Sequence, residues 1–238
     1  SSTQAPTVEA HMIFHDARLL HHWRVGGGGI LRGTLTLLGY PIASSYSAVM
    51  ALRNSHYDRV GGQKIPGVKV VSVGNLVVGG TGKTPFSAWV AKELKVRDLS
   101  PAIVSRGYGR DELILHNKWN PDTPVVADSD RLKAASLAGL EGADIVVLDD
   151  GFQHRRIARD FDIVLLSAED GFPGYLLPTG PYREPVQSLR RADAVLVTRR
   201  TAPCLVAEKI LAQVRGIAPE ALTAAIHLSP FAWQDLRG

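Results

Sequence analysis

Short runs of β-branched and aliphatic residues, separated by helix-like segments, constrain the fold of this chain more than any other feature. Runs such as IVVL (Ile145–Leu148) and IVLL (Ile163–Leu166) are apolar at every position rather than at alternate positions. This pattern indicates burial on both faces, and therefore a mostly parallel sheet with helices on each side. The sequence thus predicts a doubly wound α/β domain.

Seven strands and three helices are predicted after the glycine pair at 61 and 62. The predicted strands are Lys69–Val73, Ala102–Ser105, Pro124–Ala127, Asp144–Leu148, Asp162–Leu166, Ala194–Thr198 and Leu222–Ile226. The predicted helices are Thr84–Leu94, Asp130–Leu140 and Cys204–Arg215. Strands that alternate with helices in this way are typical of an open sheet covered on both faces.

Three sections of the chain differ in amino-acid composition. Residues 1–29 are polar and histidine-rich and end in four glycines, which predicts a flexible tail. Residues 30–60 contain the uncharged stretch Gly33–Leu52, in which Pro41 and several polar residues argue against a membrane span. A helix lying in the membrane interface and a helix packed on its own domain both remain open. Residues 61–238 carry the predicted α/β domain.

Composition excludes some classes and leaves others open. With 45% hydrophobic and 21% charged residues, the 238-residue chain can bury a core, which excludes disorder as its main state. A net charge of +4 suits an anionic membrane, phosphorylated substrates or nucleic acid equally well. The single cysteine, Cys204, excludes an internal disulfide, and no zinc-binding spacing is present.

The stretch NLVVGGTGKT (Asn75–Thr84) joins a predicted strand to a predicted helix. Glycines in such a turn let backbone N–H groups approach phosphate oxygens, a lysine reaches the terminal phosphates, and a threonine hydroxyl binds Mg²⁺. The usual spacing would place a glycine at Val77, so the match is imperfect. The predicted nucleotide-binding residues are Gly79, Gly80, Thr81, Gly82, Lys83 and Thr84.

Two adjacent acids follow the buried run IVVL. Asp149 and Asp150 stand at the carboxyl end of a predicted strand, where ligands bind in open α/β sheets. One of them could hold Mg²⁺ directly or through water, and either alone could also cap a turn. Together with the glycine-rich turn, they predict ATP or GTP with Mg²⁺. No Asn-Lys-x-Asp motif for reading guanine is present, which weakens the GTPase alternative.

Three further stretches are more specific motifs than the glycine-rich turn and the acidic pair. They are SRGYGR (Ser105–Arg110), DDGFQHRR (Asp149–Arg156) and LPTGPYREP (Leu177–Pro185). With VSVGNLVVGGTGKTP, and in this order, they resemble the tetraacyldisaccharide 4′-kinase family of lipid A biosynthesis. The resemblance runs from about Leu35 to about Thr198.

The resemblance implies a P-loop kinase with an N-terminal membrane-associated helix. Such an enzyme transfers the γ-phosphate of ATP, with Mg²⁺, to the 4′-hydroxyl of a tetraacyldisaccharide 1-phosphate and gives lipid IVA. The implied partners are ATP, the acylated disaccharide phosphate lipid and a membrane surface, with no nucleic acid. The implied location is the cytoplasmic face of the inner membrane, bound from one side.

The resemblance also implies residue roles. Lys83 and Asp150 would act in catalysis, and Thr84 and Asp149 would hold the metal. The family's catalytic acid lies in a Gly-Asp-Glu-Pro motif; here Arg110-Asp-Glu-Leu lacks its Gly and Pro, and Asp111 is the matching base. An ordinary surface aspartate is the alternative for this position.

Arg183 and Glu184 are the predicted substrate-binding residues, with Glu184 orienting Arg183. A guanidinium fork matches phosphate oxygens, but an ion pair that braces the loop is an equal alternative. His154 is predicted to be packed or hydrogen-bonded rather than a general base.

The family's second, smaller lobe has no counterpart in Leu205–Gly238. A fragment and a shortened relative are therefore both open. The alternative functions are a non-catalytic nucleotide-binding or assembly subunit and a P-loop GTPase or metallochaperone.

Overall fold

The computed structural model describes residues 30–107 and 110–229, with side chains described from residue 44 onward except at Arg110 and Asp111. The predicted flexible tail, residues 1–29, lies outside the described residues. Five α-helices, one 3₁₀ helix and seven strands occur in the described part of the chain. The helices are α1 (Ile30–Val60), α2 (Lys83–Val96), α3 (Arg110–Trp119), α4 (Arg131–Leu140) and α5 (Cys204–Ile217), and the 3₁₀ helix is Val186–Arg191.

All seven strands belong to one parallel sheet. They are β1 (Lys69–Asn75), β2 (Pro101–Ser105), β3 (Val125–Ala127), β4 (Ile145–Asp149), β5 (Phe161–Ser167), β6 (Ala194–Arg199) and β7 (Leu222–His227). Their order across the sheet is β3-β2-β4-β1-β5-β6-β7, and every pair is parallel. The predicted α/β fold is confirmed, and each predicted strand is present within two residues of its expected bounds.

Helices cover both faces, which explains the continuous apolar strands. On one face α2 packs against a cluster that includes Val73, Val147 and Leu165. On the other face α4 packs over Val70 and Val146, and α5 covers Val164 and Val195 in a separate cluster. Because successive side chains of a strand point to opposite faces, strands covered on both sides must be apolar throughout.

The register brings two loops together at the centre of the carboxyl edge. Val73 of β1 lies beside Asp149 of β4, so the residues that follow the two strands leave the sheet side by side. The strand order reverses at β1, since β2, β3 and β4 lie on one side of β1 and β5 to β7 lie on the other. Ligands bind at such reversal points in open α/β sheets.

The sequence prediction missed α3. The ten residues RDELILHNKW carry few apolar side chains, so their helical periodicity is weak. This helix begins three residues after Gly107 and packs beside α2, where Asn120 Nδ2 donates to the carbonyl of Ala88 (3.0 Å). It brings residues 110–119 to the same edge of the sheet as the glycine-rich turn.

Candidate active site

The glycine-rich turn connects the end of β1 to the start of α2. Gly79 and Gly82 adopt left-handed conformations with φ of 130° and 87°, which glycine tolerates without strain. At Gly82 a Cβ would also lie 2.5 Å from Leu228 Cδ1. The first-turn N–H groups of α2 therefore open directly onto this turn, as an anion-binding helix start requires.

Hydrogen bonds from neighbouring elements hold the turn in place. Asn75 Nδ2 donates to Thr81 Oγ1 (3.0 Å), and Thr198 Oγ1 donates to the carbonyl of Thr81 (3.0 Å). The N–H of Val78 donates to the carbonyl of Pro181 (2.8 Å). Thr81 is buried, so it anchors the turn, whereas Gly80 is exposed and Lys83 and Thr84 are partly exposed.

Lys83 and Arg183 converge on one carboxylate. Lys83 Nζ lies 3.5 Å from Asp150 Oδ1, and Arg183 Nη1 donates to both oxygens of Asp150 at 2.9–3.0 Å. Burial alone would raise the pKa of Asp150, but the charges of Lys83 and Arg183 lower it to about 2. Three predicted site residues, from β1–α2, β4 and the proline-rich loop, are thus brought together.

Asp149 and Asp150 occupy different environments although they are adjacent. Asp150 has φ of 55°, so its backbone leaves the strand and turns its side chain toward Lys83. Asp149 is only 3% exposed; its Oδ1 accepts from Ser87 Oγ (3.1 Å) and its Oδ2 lies 2.9 Å from His116 Nε2. Both carboxylates have partners within the chain, but the Asp150 side chain is 30% exposed, so a metal ion can reach Asp150 more readily than Asp149, to which the sequence assigned this role.

The predicted base, Asp111, lies in the first turn of α3, but its side chain is outside the described residues. Its neighbour Glu112 is described. Burial and the charges of Asp149 and Asp150 raise the pKa of Glu112, which places this carboxyl group in the same electrostatic field as the acidic pair. The start of α3 therefore faces the end of β4.

Glu184 differs from its prediction. It is fully buried, and its carboxylate accepts from Arg191 (2.9 Å) and from Asn54 Nδ2 of α1 (3.0 Å), not from Arg183. Its expected role in orienting Arg183 is wrong, because Arg183 is held by Asp150 instead. With no exposed surface for a substrate, Glu184 fits the alternative of an ion pair that braces the loop.

Three site residues were missed by the sequence interpretation: Ser87, His116 and Arg131. All three are buried, and His116 and Ser87 together hold Asp149. No local motif marks them, because each gains its role through a residue distant in sequence. His154, predicted to be packed, is partly buried; burial and the charge of Arg131 lower its pKa to about 4, which keeps its imidazole neutral.

The donor set suits a magnesium ion only in combination with a phosphate ligand. In residues 30–107 and 110–229, no group of three or more His, Cys, Asp or Glu side chains is arranged to hold a metal ion. Mg²⁺ commonly takes one or two protein carboxylates, several waters and substrate phosphates. Asp150, whose partly exposed carboxylate lies 3.5 Å from Lys83, and Thr84, the residue after Lys83, supply oxygen atoms that fit that smaller requirement.

The second half of α1 packs on the site loops through polar contacts. Tyr46 Oη donates to the carbonyl of Arg183 (2.7 Å), and Arg53 Nη2 donates to the carbonyl of Gln153. Val49 and Leu52 remain 61% and 71% exposed. Within the described part of the chain, no helix combines the length and the apolar character that crossing a bilayer needs.

Comparison with known proteins agrees with this geometry. The model of the Tetraacyldisaccharide-1-P 4′-kinase family matches residues 35–114 and 111–232. The chain belongs to this family. The resemblance seen in the sequence motifs is therefore confirmed.

Individual relatives have the same family name. A tetraacyldisaccharide 4′-kinase of Chlorobaculum parvum is 40% identical over 192 residues, which cover 68% of this chain and 52% of the relative. The corresponding protein of Janthinobacterium is 36% identical over 86% of this chain and 65% of its own length. The crystal structure of LpxK from Aquifex aeolicus in complex with ATP aligns with a TM-score of 0.62 at 39% identity, covering 71% of this chain and 59% of that chain.

The chain spans about half to two thirds of the length of these family members. The matched portion contains the whole parallel sheet and the residues around Lys83 and Asp150. The family assignment therefore rests on the part of the molecule that carries the candidate active site.

Proposed function

We propose that this chain is the catalytic domain of an ATP-dependent kinase. It transfers the γ-phosphate of ATP to the 4′-hydroxyl of a tetraacyldisaccharide 1-phosphate, which gives lipid IVA. The observation that carries this proposal is the convergence of Lys83 and Arg183 on Asp150 beside an open glycine-rich turn, in a chain of this family.

Each part of the site has a task in this reaction. N–H groups of the turn and of the start of α2 bind the nucleotide phosphates, and Lys83 stabilises negative charge on the γ-phosphate as it leaves. A carboxylate at the start of α3, Asp111 or Glu112, accepts the proton of the sugar hydroxyl as its oxygen bonds to phosphorus and the bond to ADP breaks. The raised pKa of Glu112 suits proton transfer.

A magnesium ion, when bound, would neutralise charge on the β- and γ-phosphate oxygens. Thr84 and Asp150 are the residues that would hold it. The charges of Lys83 and Arg183 lower the pKa of Asp150 to about 2 and so keep its carboxylate ionised, and Arg183 orients it through two hydrogen bonds. The site thus retains an anionic metal ligand throughout the neutral pH range.

The acceptor's acyl chains place this reaction at a membrane, and α1 is the element that meets it. Val49 and Leu52 are exposed apolar residues on a helix whose other side contacts the site loops. We place the chain on the cytoplasmic face of the inner membrane, attached from one side. Flotation with anionic lipid vesicles tests this. Replacing both residues by glutamate should abolish co-flotation, while glutamate at the exposed Ala51 should weaken it less.

Transfer of label from γ-labelled ATP to tetraacyldisaccharide 1-phosphate tests the activity. The proposal expects label in the lipid with the unchanged chain and almost none with Lys83→Met. Lys69→Met, a change of the same chemistry at the opposite edge of the sheet, should leave transfer intact. ATP binding without transfer of label would contradict the proposed activity and favour a nucleotide-binding subunit.

A further inference from the structure

One buried cation near the site has no hydrogen-bond or ion-pair partner in the part of the chain that the structure describes. Arg131, the first residue of α4, is 3% exposed, and its Nε, Nη1 and Nη2 atoms all lack a hydrogen-bond partner among the described residues. The adjacent Asp130 is occupied as the helix cap, because its Oδ1 accepts from the N–H groups of Leu132 and Lys133. The Arg131 guanidinium is therefore withdrawn from water without a hydrogen-bond partner among the described residues.

Other buried or partly buried arginines show that this is an exception. Arg155, Arg159 and Arg191 each contact a carboxylate at 2.6–2.9 Å, from Asp58, Asp162 and Glu184 respectively. An arginine side chain does not lose its proton in proteins, so burial of Arg131 cannot be relieved by neutralisation. A fold that pairs these three guanidinium groups leaves that of Arg131 for a group that is not part of the chain.

Arg131 lies at the edge of the sheet that carries the candidate active site. It is close enough to Asp149, Asp150 and Glu112 for their charges to raise its pKa, although burial and Arg106 lower it more. The loop after β4 runs beside it, since Arg156 lies 3.8 Å from Asp130. Burial and the charge of Arg131 also lower the pKa of His154 to about 4, so the neighbouring imidazole is neutral.

From this geometry we infer that the Arg131 guanidinium contacts a phosphate group bound between the end of β4 and the start of α4. A guanidinium fork donates two parallel hydrogen bonds to phosphate oxygens, which would satisfy its unpartnered nitrogens. This inference rests on the proposed function for the identity of the phosphate. The phosphate is either the γ-phosphate of the nucleotide or the phosphate carried by the acceptor lipid.

The test compares Arg131→Met with the unchanged 238-residue chain in thermal unfolding and in binding of inorganic phosphate at constant ionic strength. Methionine fills a similar volume without a charge, so the variant should unfold at the same temperature or higher. Its affinity for inorganic phosphate should fall about 10- to 100-fold, since hydrogen bonds between charged groups are lost. Lys133→Met, on the exposed side of α4, removes the same charge and should change neither quantity.

Two further measurements distinguish the sources of the phosphate. If Arg131 binds the γ-phosphate, the preference for ATP over ADP falls about 10- to 100-fold in Arg131→Met. If it binds the acceptor's phosphate, that preference is unchanged and KM for tetraacyldisaccharide 1-phosphate rises by a similar factor. Either result supports the inference.

Unchanged phosphate binding in Arg131→Met overturns the inference, whatever the unfolding temperature. A lower unfolding temperature with unchanged phosphate binding would show that Arg131 serves the fold. A failure of the proposed function is distinguishable from both, because the unchanged chain would then bind phosphate through Arg131 without transferring label from ATP.

Discussion

Charged side chains are paired at the amino edge of the central sheet, where the strands begin, and are incompletely paired at the carboxyl edge, where the strands end. At the amino edge, carboxylates pair with cations and also accept backbone N–H groups: Asp160 binds Lys69 Nζ and the N–H of Val70, each at 2.9 Å. Arg159 pairs with Oδ2 of the buried Asp162 (2.9 Å). At the carboxyl edge, Lys83 and Arg183 share the single carboxylate of Asp150, and Arg131 has no hydrogen-bond partner among residues 30–107 and 110–229.

The charges at the amino edge therefore stabilise the fold, whereas the charges at the carboxyl edge are available to bind a ligand. A buried ion pair that is complete within the chain is destabilising to break but contributes little else. An incomplete set of charges beside a helix start gives an anion-binding site, because its potential is not cancelled internally. The carboxyl edge should therefore respond to substitution in activity and ligand affinity, and the amino edge in stability.

The largest expected effect is on stability at the amino edge. Arg159→Met removes the partner of the buried Asp162, and breaking such a pair costs about 3–5 kcal/mol. Urea unfolding followed by circular dichroism measures the loss. Affinity for ATP in the folded fraction should be unchanged; a fall in affinity without a fall in stability would remove the distinction between the edges.

At the carboxyl edge, Lys83→Met should act on the reaction. Removing one preorganised charge at a transferring group costs about 10²–10³ in kcat. Single-turnover transfer of label from ATP measures it, with Lys69→Met as the control from the amino edge. Equal losses in the two variants would contradict the comparison.

A smaller effect is expected where α3 joins the acidic pair. His116→Leu keeps an apolar group in a buried position but removes the hydrogen bond to Asp149, which costs about 1.5–3 kcal/mol of unfolding free energy. His116→Gln retains a donor and should recover part of the loss. Asn117→Leu, on the exposed side of α3, is the control; identical stability of all three would show that the contact is unimportant.

The smallest effect depends on pH. The folded-state pKa of Asp150 is about 2, below the value near 3.9 of an unfolded aspartate. Its ionised form therefore adds stability that is complete above about pH 4 and is lost as the pH falls toward 2. The stability difference between the unchanged chain and Asp150→Asn should shrink over this interval. A constant difference would show that Lys83 and Arg183 do not lower this pKa.

The sequence predicted the features that depend on local patterns and missed those that depend on contacts between distant residues. Strands such as Ile145–Asp149 can be predicted from the sequence, because burial on both faces requires a continuous apolar run. The glycine-rich turn and the acidic pair are local motifs and were found. Helix α3 was missed because its contacts, through His116 and Asn120, are polar.

The roles of single side chains were harder to predict. Glu184 follows Arg183 directly, which suggested a functional pair, but the backbone turns it into the interior toward Arg191. Arg131 is one arginine among many in the sequence and becomes distinctive only when its surroundings are known. Which of two adjacent acids is exposed, Asp149 or Asp150, likewise depends on packing by Ser87 and His116.

Calorimetric titration of ATP into the unchanged chain, Lys83→Met and Lys69→Met tests the central claim most directly. If the carboxyl edge is an incomplete charge site for nucleotide phosphates, ATP binds the unchanged chain and Lys69→Met equally. It binds Lys83→Met about tenfold or more weakly, through loss of a charged contact. Equal affinity in all three proteins, or no binding to any, would contradict it.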